Sequence, residues 1–199
     1  MLTREKKDLT HYKEFHSHSL DLSQEDAVSN IFQTAKSRFG SVDGIVMLTG
    51  EFDYSTSLLS MNRRRWDELV ENHVLIPALI TREAVGIMAP SGALHEPSLF
   101  RGSEGKVIII GPDAPAGKKI SGVVRARSEV FRGALRPFNA TVNQELRDVL
   151  NSKIRQYLLL CGNIEGNMPN DERIKDVVLN LLSDTYDSNN QTIFYPDEA

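Results

Sequence analysis

The chain lacks the features that mark most disulfide-rich, metal-cluster and membrane proteins. Its 199 residues contain one cysteine, Cys161, which excludes an internal disulfide and any metal site built from several cysteines. No apolar run approaches the roughly 20 residues that a membrane-spanning helix needs. Residues 1–14 carry charges throughout, which excludes a secretory signal there. We therefore expect a soluble protein of the cytoplasm or another reducing intracellular compartment.

The charge balance excludes a further class of partner. The 23 Lys and Arg residues are outnumbered by 27 Asp and Glu residues, and the net charge is −4. A chain of this charge has no general electrostatic footprint for nucleic acid. Its 40% hydrophobic and 25% charged residues are typical of a globular domain with a sizeable core.

Short apolar runs and helical stripes alternate along the sequence. The runs at 44–48, 107–110 and 157–160 have the continuous apolar character of strands buried on both faces. Apolar residues at helical spacing predict helices between them, and Pro137 should break or kink one of these. The expected helices cover about residues 23 to 39, 62 to 88, 121 to 136, 141 to 150 and 171 to 182.

This alternation predicts an α/β fold, a doubly wound and mostly parallel Rossmann-like sheet. We expect one domain over residues 15–199, preceded by a polar helix or arm over residues 1–14. A short strand should end at Asp21, and a last strand should cover 191–195.

Six local strings, in the right order and at suitable intervals, resemble the short-chain dehydrogenase/reductase family. The resemblance covers about residues 15 to 196 and implies a Rossmann-type domain that binds NAD(P). The strings are Asp21–Val28, Phe39–Val46, Trp66–Arg82, Gly105–Ile110, Ile154–Ile164 and Asp176–Ile193.

The parts that would hold a cofactor depart from the family pattern. The family opens with a strand, a glycine-rich turn and a helix, which together bind the cofactor pyrophosphate. No Gly-x-x-x-Gly-x-Gly string occurs in this sequence, which corresponds to the family from just after its second strand. The sheet is thus expected to lack the first β-α-β unit, with vestiges of the cofactor site at Asp21, Gly50, Gly162 and Ile164. We expect no bound cofactor, and NAD(P) only if another chain or upstream sequence supplies the missing unit.

Two of the positions where the family has polar site residues are also changed. The family's helix asparagine falls on His73, with Asn72 beside it, and its serine after the fifth strand falls on Pro112 or Gly111. His73 has two interpretations, a proton donor in place of the family's asparagine or an ordinary helix histidine with satisfied hydrogen bonds, and no nucleophile or base identifiable near it supports the first.

The family's Tyr-x-x-x-Lys motif is replaced by apolar and neutral residues. With the helix aligned on Gly133, the tyrosine falls on Val124 and the lysine on Ser128. The resemblance assigns proton donation to that tyrosine and the lowering of its pKa to that lysine, and neither replacement has the required group. No tyrosine lies between Tyr54 and Tyr157, so a shift of register does not restore the pair.

Four other features have both a functional and a structural interpretation. His16 and His18 share one side of a short strand, but no third ligand is suitably spaced, so we predict no metal site. Arg63–Arg65 suit either an anion or partner site or a solvated helix start. Residues 89–104 are longer than the family's usual connection and form either a partner loop or a tolerated insertion. Cys161 is interpreted as a buried small residue.

Two functions therefore remain open. The first is a non-catalytic pseudoenzyme that acts as a structural or partner subunit, or as a degenerate module of a larger reductase. The second is an NAD(P)-dependent oxidoreductase whose cofactor-binding part is supplied by another chain or upstream sequence. We expect contact with a second copy or with other subunits through helices 66–88 and 121–136, which the family commonly pairs across subunits. A small-molecule binder using the family's substrate cleft is a third possibility, without support from any residue pattern.

Overall fold

The computed structural model describes residues 2–3, 18–49, 58–113, 122–162, 171–183 and 192–195. The strands are β1 (Leu2–Thr3), β2 (His18–Ser19), β3 (Gly44–Leu48), β4 (Glu104–Asp113), β5 (Lys153–Gly162) and β6 (Thr192–Tyr195). The α-helices are α1 (Glu25–Phe39), α2 (Arg63–Val70), α3 (Ile76–Met88), α4 (Gly122–Gln144) and α5 (Asp171–Leu182). The 3₁₀ turns are Leu58–Ser60 and Pro97–Phe100, and the π-helical turns are Glu71–Leu75 and Glu145–Val149.

Four parallel strands form the main sheet in the order β3-β4-β5-β6. The register aligns Val46 with Ile108, and Ile108 with Tyr157. The central strands β4 and β5 are buried on both faces, which explains their unbroken apolar sequence. β1 and β2 pair in parallel as a separate two-stranded sheet. The prediction of a parallel α/β sheet is confirmed.

Helices cover both faces of the main sheet. On one face, residues of α1, α3 and α4 pack in one cluster with alternate residues of β4 and β5, including Ile109 and Leu158. On the other face, Leu181 of α5 packs with Ile108 and Leu159. This arrangement is the doubly wound layering that the sequence predicts.

The structure describes two residues of the N-terminal segment, Leu2 and Thr3. The prediction for residues 1–14 is a polar helix or arm, and within it Leu2–Thr3 pair with His18–Ser19 in the small parallel sheet. The alternating apolar pattern used to find strands is not visible over two residues, so the sequence cannot reveal so short a strand. Residues 4–17 lie outside the described part of the chain.

Pro137 was expected to break the helix or kink it, and the break does not occur. The structure has α4 running through Pro137 from Gly122 to Gln144, and then a π turn. Proline removes one backbone hydrogen bond from a helix interior. The buried side chains of Leu135 and Asn139 hold the helix on both sides of the proline, so tertiary packing overrides the local preference.

Candidate functional site

The carboxyl ends of β3, β4 and β5 meet at one edge of the sheet, where open α/β folds bind their ligands. Thr49, the residue after β3, is tied to the neighbouring strand. Its backbone N–H donates to the Ile110 carbonyl at 3.0 Å, and its hydroxyl donates to the same oxygen at 3.3 Å. The hydroxyl at this position therefore holds two strand ends together.

Apolar packing surrounds the end of β4. Gly111 is buried, and a Cβ atom added to it would lie 3.1 Å from Leu135 Cδ1 and 3.5 Å from Leu160 Cδ2. The distance to Leu135 Cδ1 is shorter than most Cβ contacts in proteins, so a serine at position 111 would press against Leu135. The side chain of the neighbouring Pro112, the other candidate for the family's serine position, lies outside the description.

His73 lies in the π turn that joins α2 to α3 within one long helical segment. It lies at the centre of the π turn Glu71–Leu75, and it is fully buried. Such turns are rare and often mark functional positions. The adjacent Asn72 donates its side-chain amide to the Glu68 carbonyl at 2.7 Å, so that amide group is engaged within the helix.

The remaining family positions lie on α4, at the end of β5 and outside the described residues. Val124 and Ser128 lie on α4, but their side chains are not among those described. Gly162 ends β5 opposite Asp113. Gly50 and Ile164 fall outside the described residues.

Asp21, one of the expected vestiges of the cofactor site, forms a turn just before α1. Its carboxylate accepts hydrogen bonds from the Ser23 backbone N–H at 3.0 Å and from the Ser23 hydroxyl at 2.8 Å. This local turn leads into the helix, which begins at Glu25 rather than directly after Ser23.

A buried amide cluster between α4 and β5 is the main feature that sequence reasoning missed. The Asn143 side chain accepts from the Gln156 backbone N–H at 2.9 Å and donates to the Gln156 carbonyl at 2.7 Å. It also donates to the Asn139 carbonyl at 3.0 Å. The available signal was two asparagines four residues apart on a buried helix face, opposite a glutamine in an apolar strand.

Residues 3–105 match the family model described as enoyl-(acyl carrier protein) reductase, which spans just over half of the chain. The chain belongs to the short-chain dehydrogenase/reductase family. The match begins at residue 3, so the family likeness reaches further towards the N terminus than residue 15. A search of curated proteins gives no significant match.

Solved structures of the short-chain dehydrogenase/reductase family share this fold at low sequence identity. A metagenomic short-chain oxidoreductase in complex with NADP is 22% identical, with a TM-score of 0.66 over 92% of this chain and 75% of that one. An enoyl-[acyl-carrier-protein] reductase (NADH) from Aquifex aeolicus VF5 is 16% identical, with a TM-score of 0.62 over 84% of this chain and 66% of that one. A short-chain dehydrogenase from Mycobacterium smegmatis is 14% identical, with a TM-score of 0.67 over 92% and 70% of the two chains.

In this family member, the outer side of β3 has no strand neighbour among the described residues. A cleft of about 610 Å³ lies there, between β3 and α1. Three apolar side chains near it are strongly exposed, Phe39 at 61%, Val46 at 40% and Leu48 at 59%. An uncharged strand edge with exposed apolar side chains is a surface on which another strand can add.

The arginines that open α2 are paired with carboxylates of the same segment. Arg63 contacts Asp67 at 2.8 Å, while Arg64 and Arg65 contact Glu68 at 3.6 and 2.9 Å. These pairs of neighbouring helix residues favour the solvated helix start over an anion site.

The long connection between α3 and β4 is a packed element of the fold. Its Ala93 and Phe100 are buried against α3 and the end of α4, and its Pro97–Phe100 segment forms a 3₁₀ turn. The connection is therefore more than a surface insertion.

Metal and membrane features were also sought in the part of the chain that the structure describes. No group of three or more His, Cys, Asp or Glu residues there is arranged to hold a metal ion. None of the helices in these segments combines the length and apolar character needed to cross a bilayer. His18 lies in β2, whereas His16 and the side chain of Cys161 lie outside the description.

Proposed function

We propose that this chain is a non-catalytic member of the short-chain dehydrogenase/reductase family that serves as a structural or partner subunit, or as a degenerate module of a larger reductase. The packing of Leu135 against Gly111 carries the proposal. A serine there would place its Cβ about 3.1 Å from Leu135 Cδ1, so Leu135 would have to move by a few tenths of an ångström. The replacements at Val124 and Ser128 remove the family's proton donor and the residue that tunes it, which agrees with this packing.

The exposed apolar residues of the long helices support a partner role. On the segment from 66 to 88, the apolar residues Leu69, Ile80, Ala84 and Ile87 are buried inside the domain, but Val70 and Leu75 remain exposed. On α4, Val130 is exposed. Monomeric proteins rarely leave contiguous apolar patches uncovered. The proposed partner surface is therefore centred on Val70, Leu75 and Val130.

Sedimentation velocity tests this partner role. We expect the chain to form an oligomer, or to be recovered with another subunit, and we expect Val130→Asp to release it. The matched control is Leu179→Asp on α5, another exposed apolar residue of a helix on the opposite face of the sheet. A folded monomer at micromolar concentration with no subunit recovered would overturn the partner role. Equal release by both variants would exclude this surface.

A reductase assay tests the non-catalytic part of the proposal. We expect no NADH- or NADPH-dependent reduction of ketones or enoyl thioesters by the chain. Val124→Tyr combined with Ser128→Lys should not create activity, because the glycine-rich turn is still absent from the sequence. Robust turnover by the unmodified chain would refute this part.

The open side of β3 supports a second candidate function. An NAD(P)-dependent oxidoreductase would result if another polypeptide supplied a strand and a glycine-rich turn beside β3, where the cleft of about 610 Å³ lies. The solved relative in complex with NADP makes NAD(P) the cofactor of this candidate. Calorimetry with NADH and NADPH separates the two functions. The non-catalytic function predicts no micromolar binding by the chain alone and, with a recovered partner, no more binding than the isolated partner shows. The oxidoreductase function predicts binding that appears only when the chain and the partner are combined.

A further inference from the structure

Alternate residues of β3 bond to its described neighbour, β4. The Lys106 N–H donates to the Asp43 carbonyl at 3.0 Å just before β3 begins, and the Thr49 N–H donates to the Ile110 carbonyl at 3.0 Å just after it ends. In a strand, the N–H and the carbonyl of one residue point to the same side, and the side alternates from residue to residue. The odd-numbered residues of β3 therefore direct their backbone groups towards β4.

The even-numbered residues of β3 direct their backbone groups away from β4. Gly44, Val46 and Leu48 thus present three N–H groups and three carbonyls on a side where no strand lies among the described residues. Such a row of unpaired groups is a template for another strand, and natural edges are commonly protected by a charge, a proline or a bulge. β3 reads Gly-Ile-Val-Met-Leu, without a charge or a proline. The groups at this edge therefore match the backbone of an extended peptide.

Beside this edge, the cleft of about 610 Å³ has an apolar floor formed by α1, where Ile31, Phe32 and Ala35 line it. Phe32 belongs to the same hydrophobic cluster as Met47, so α1 lies on the sheet face shared by the odd-numbered residues of β3. Ile31 and Ala35 are only half-buried, so an added side chain can contact them. Successive side chains of a strand point to opposite faces, so every second residue of an added strand would reach this floor. Those positions call for apolar residues.

Among the described residues, one charged side chain lines the cleft, that of Arg38 near the end of α1. It is exposed, its guanidinium carbon lies 5.6 Å from the centre of the Phe39 ring, and none of the ion pairs between described residues includes it. The chain passes from α1 to β3 through residues 40–43, which places Arg38 near the amino end of β3. A carboxylate at that end of an added strand would complement this charge.

We infer that the outer edge of β3 binds an extended peptide segment of another protein by strand addition. The segment carries apolar residues at alternate positions over α1 and a carboxylate beside Arg38. Backbone hydrogen bonds supply the affinity of such binding, and the alternate side chains supply its specificity. The inference rests on the proposed partner role in that another protein supplies the segment, and it adds a surface separate from the one centred on Val130.

Calorimetry with the capped peptide Glu-Thr-Val-Thr-Val-Thr-Glu tests the inference. Its valines and both glutamates share one face, and a glutamate at each end places a carboxylate beside Arg38 in either strand direction. Two further peptides carry N-methyl groups on the valines or on the threonines. Only alternate amides face β3, so we expect one of these two to bind at least about tenfold more weakly than the parent and the other to retain its binding. Equal effects of the two methylations would overturn the inference.

A charge exchange tests the role of Arg38. Arg38→Glu should weaken binding of the glutamate peptide about threefold and should prefer a peptide with lysine at both ends. The control Arg101→Glu, at another exposed arginine outside this cleft, should keep the preference for the glutamate peptide. The same preference in the two variants would contradict the placement of the carboxylate.

A variant of β3 itself completes the test. Val46→Pro removes an N–H that points away from β4, so it should abolish peptide binding without breaking a bond of the sheet, whereas Val46→Ala should still bind. If Val46→Pro does not fold, the methylated peptides decide on the native chain. Val130→Asp should leave peptide binding unchanged, so the surface centred on Val130 and the edge of β3 can fail separately. The inference is overturned if the native chain does not bind the parent peptide, whether because a second copy or another segment of this chain already covers β3, or if folded Val46→Pro still binds it.

Discussion

The exposed backbone edges of β5 and β3 differ in whether a group of the same domain bonds to them. In the described residues, β6 pairs with β5 from Leu158 onwards, and no described strand lies beside the backbone of Gln156 on that side. The side chain of Asn143 takes the place of a strand, since it bonds both the N–H and the carbonyl of Gln156. At β3, by contrast, nothing in the described chain covers the outer edge, and Val46 and Leu48 are exposed. One edge is completed by a side chain of the same domain, and the other has no strand neighbour in the described part of the chain.

The largest expected effect comes from breaking the completed edge. Asn143→Ala would leave the buried N–H and carbonyl of Gln156 without their partner, so we expect the free energy of unfolding to fall by about 2 to 4 kcal/mol. Urea unfolding monitored by circular dichroism measures this change.

The neighbouring residue provides the control for that variant. Gln144 is exposed, and Gln144→Ala should change the free energy of unfolding by less than about 0.5 kcal/mol. Similar losses in the two variants would mean that the bonds to Gln156 contribute little.

A second variant probes the packed strand between the two edges. Gly111→Ser should lower the free energy of unfolding by about 1 to 3 kcal/mol, because its Cβ would press on Leu135. In the Leu135→Ala background the same substitution should cost less, because the space has been opened. A double-mutant cycle with no coupling between the two positions would contradict the packing at the end of β4.

The smallest effect on stability is expected at the open edge. Val46→Lys should change the free energy of unfolding by less than about 0.5 kcal/mol, because this side chain is already exposed. It should nevertheless weaken any association through β3, since lysine on an edge strand discourages pairing.

Sedimentation velocity and urea unfolding of Val46→Lys, compared with Val149→Lys at an exposed position outside the sheet, check this prediction. A loss of more than about 2 kcal/mol in Val46→Lys alone would show that the edge of β3 is covered after all.

Local patterns in the sequence predict the local parts of this fold well. The apolar run 107–110 lies in the buried strand β4, and Asn62 caps α2 by accepting a hydrogen bond from the Arg65 N–H at 3.0 Å. Both features depend on residues that are adjacent or one helical turn apart. The path of α4 through Pro137 depends instead on packing against the sheet, and no local rule contains that information.

At the candidate site too, some features can be predicted from the sequence and others are visible only in the fold. Comparison with the family pattern is enough to show that Val124 and Ser128 stand where a tyrosine and a lysine are expected. The contact between Leu135 and Gly111 joins residues far apart in the sequence, so only the folded chain reveals it. The bond from Asn143 to Gln156 likewise spans 13 residues and joins a helix to a strand.

The π turn Glu71–Leu75 changes the phase of the long helical segment from α2 to α3, whereas the π turn Glu145–Val149 comes at the end of the segment that contains α4. A π turn accommodates one residue more than an α-helical turn, which corresponds to a rotation of about 100° in the helical wheel. The surface stripe of α2 is therefore out of phase with that of α3, and His73 lies where the phase changes. A straight partner helix that follows one stripe loses it at this residue. Any helix that docks here must therefore be short or must cross the segment at a steep angle.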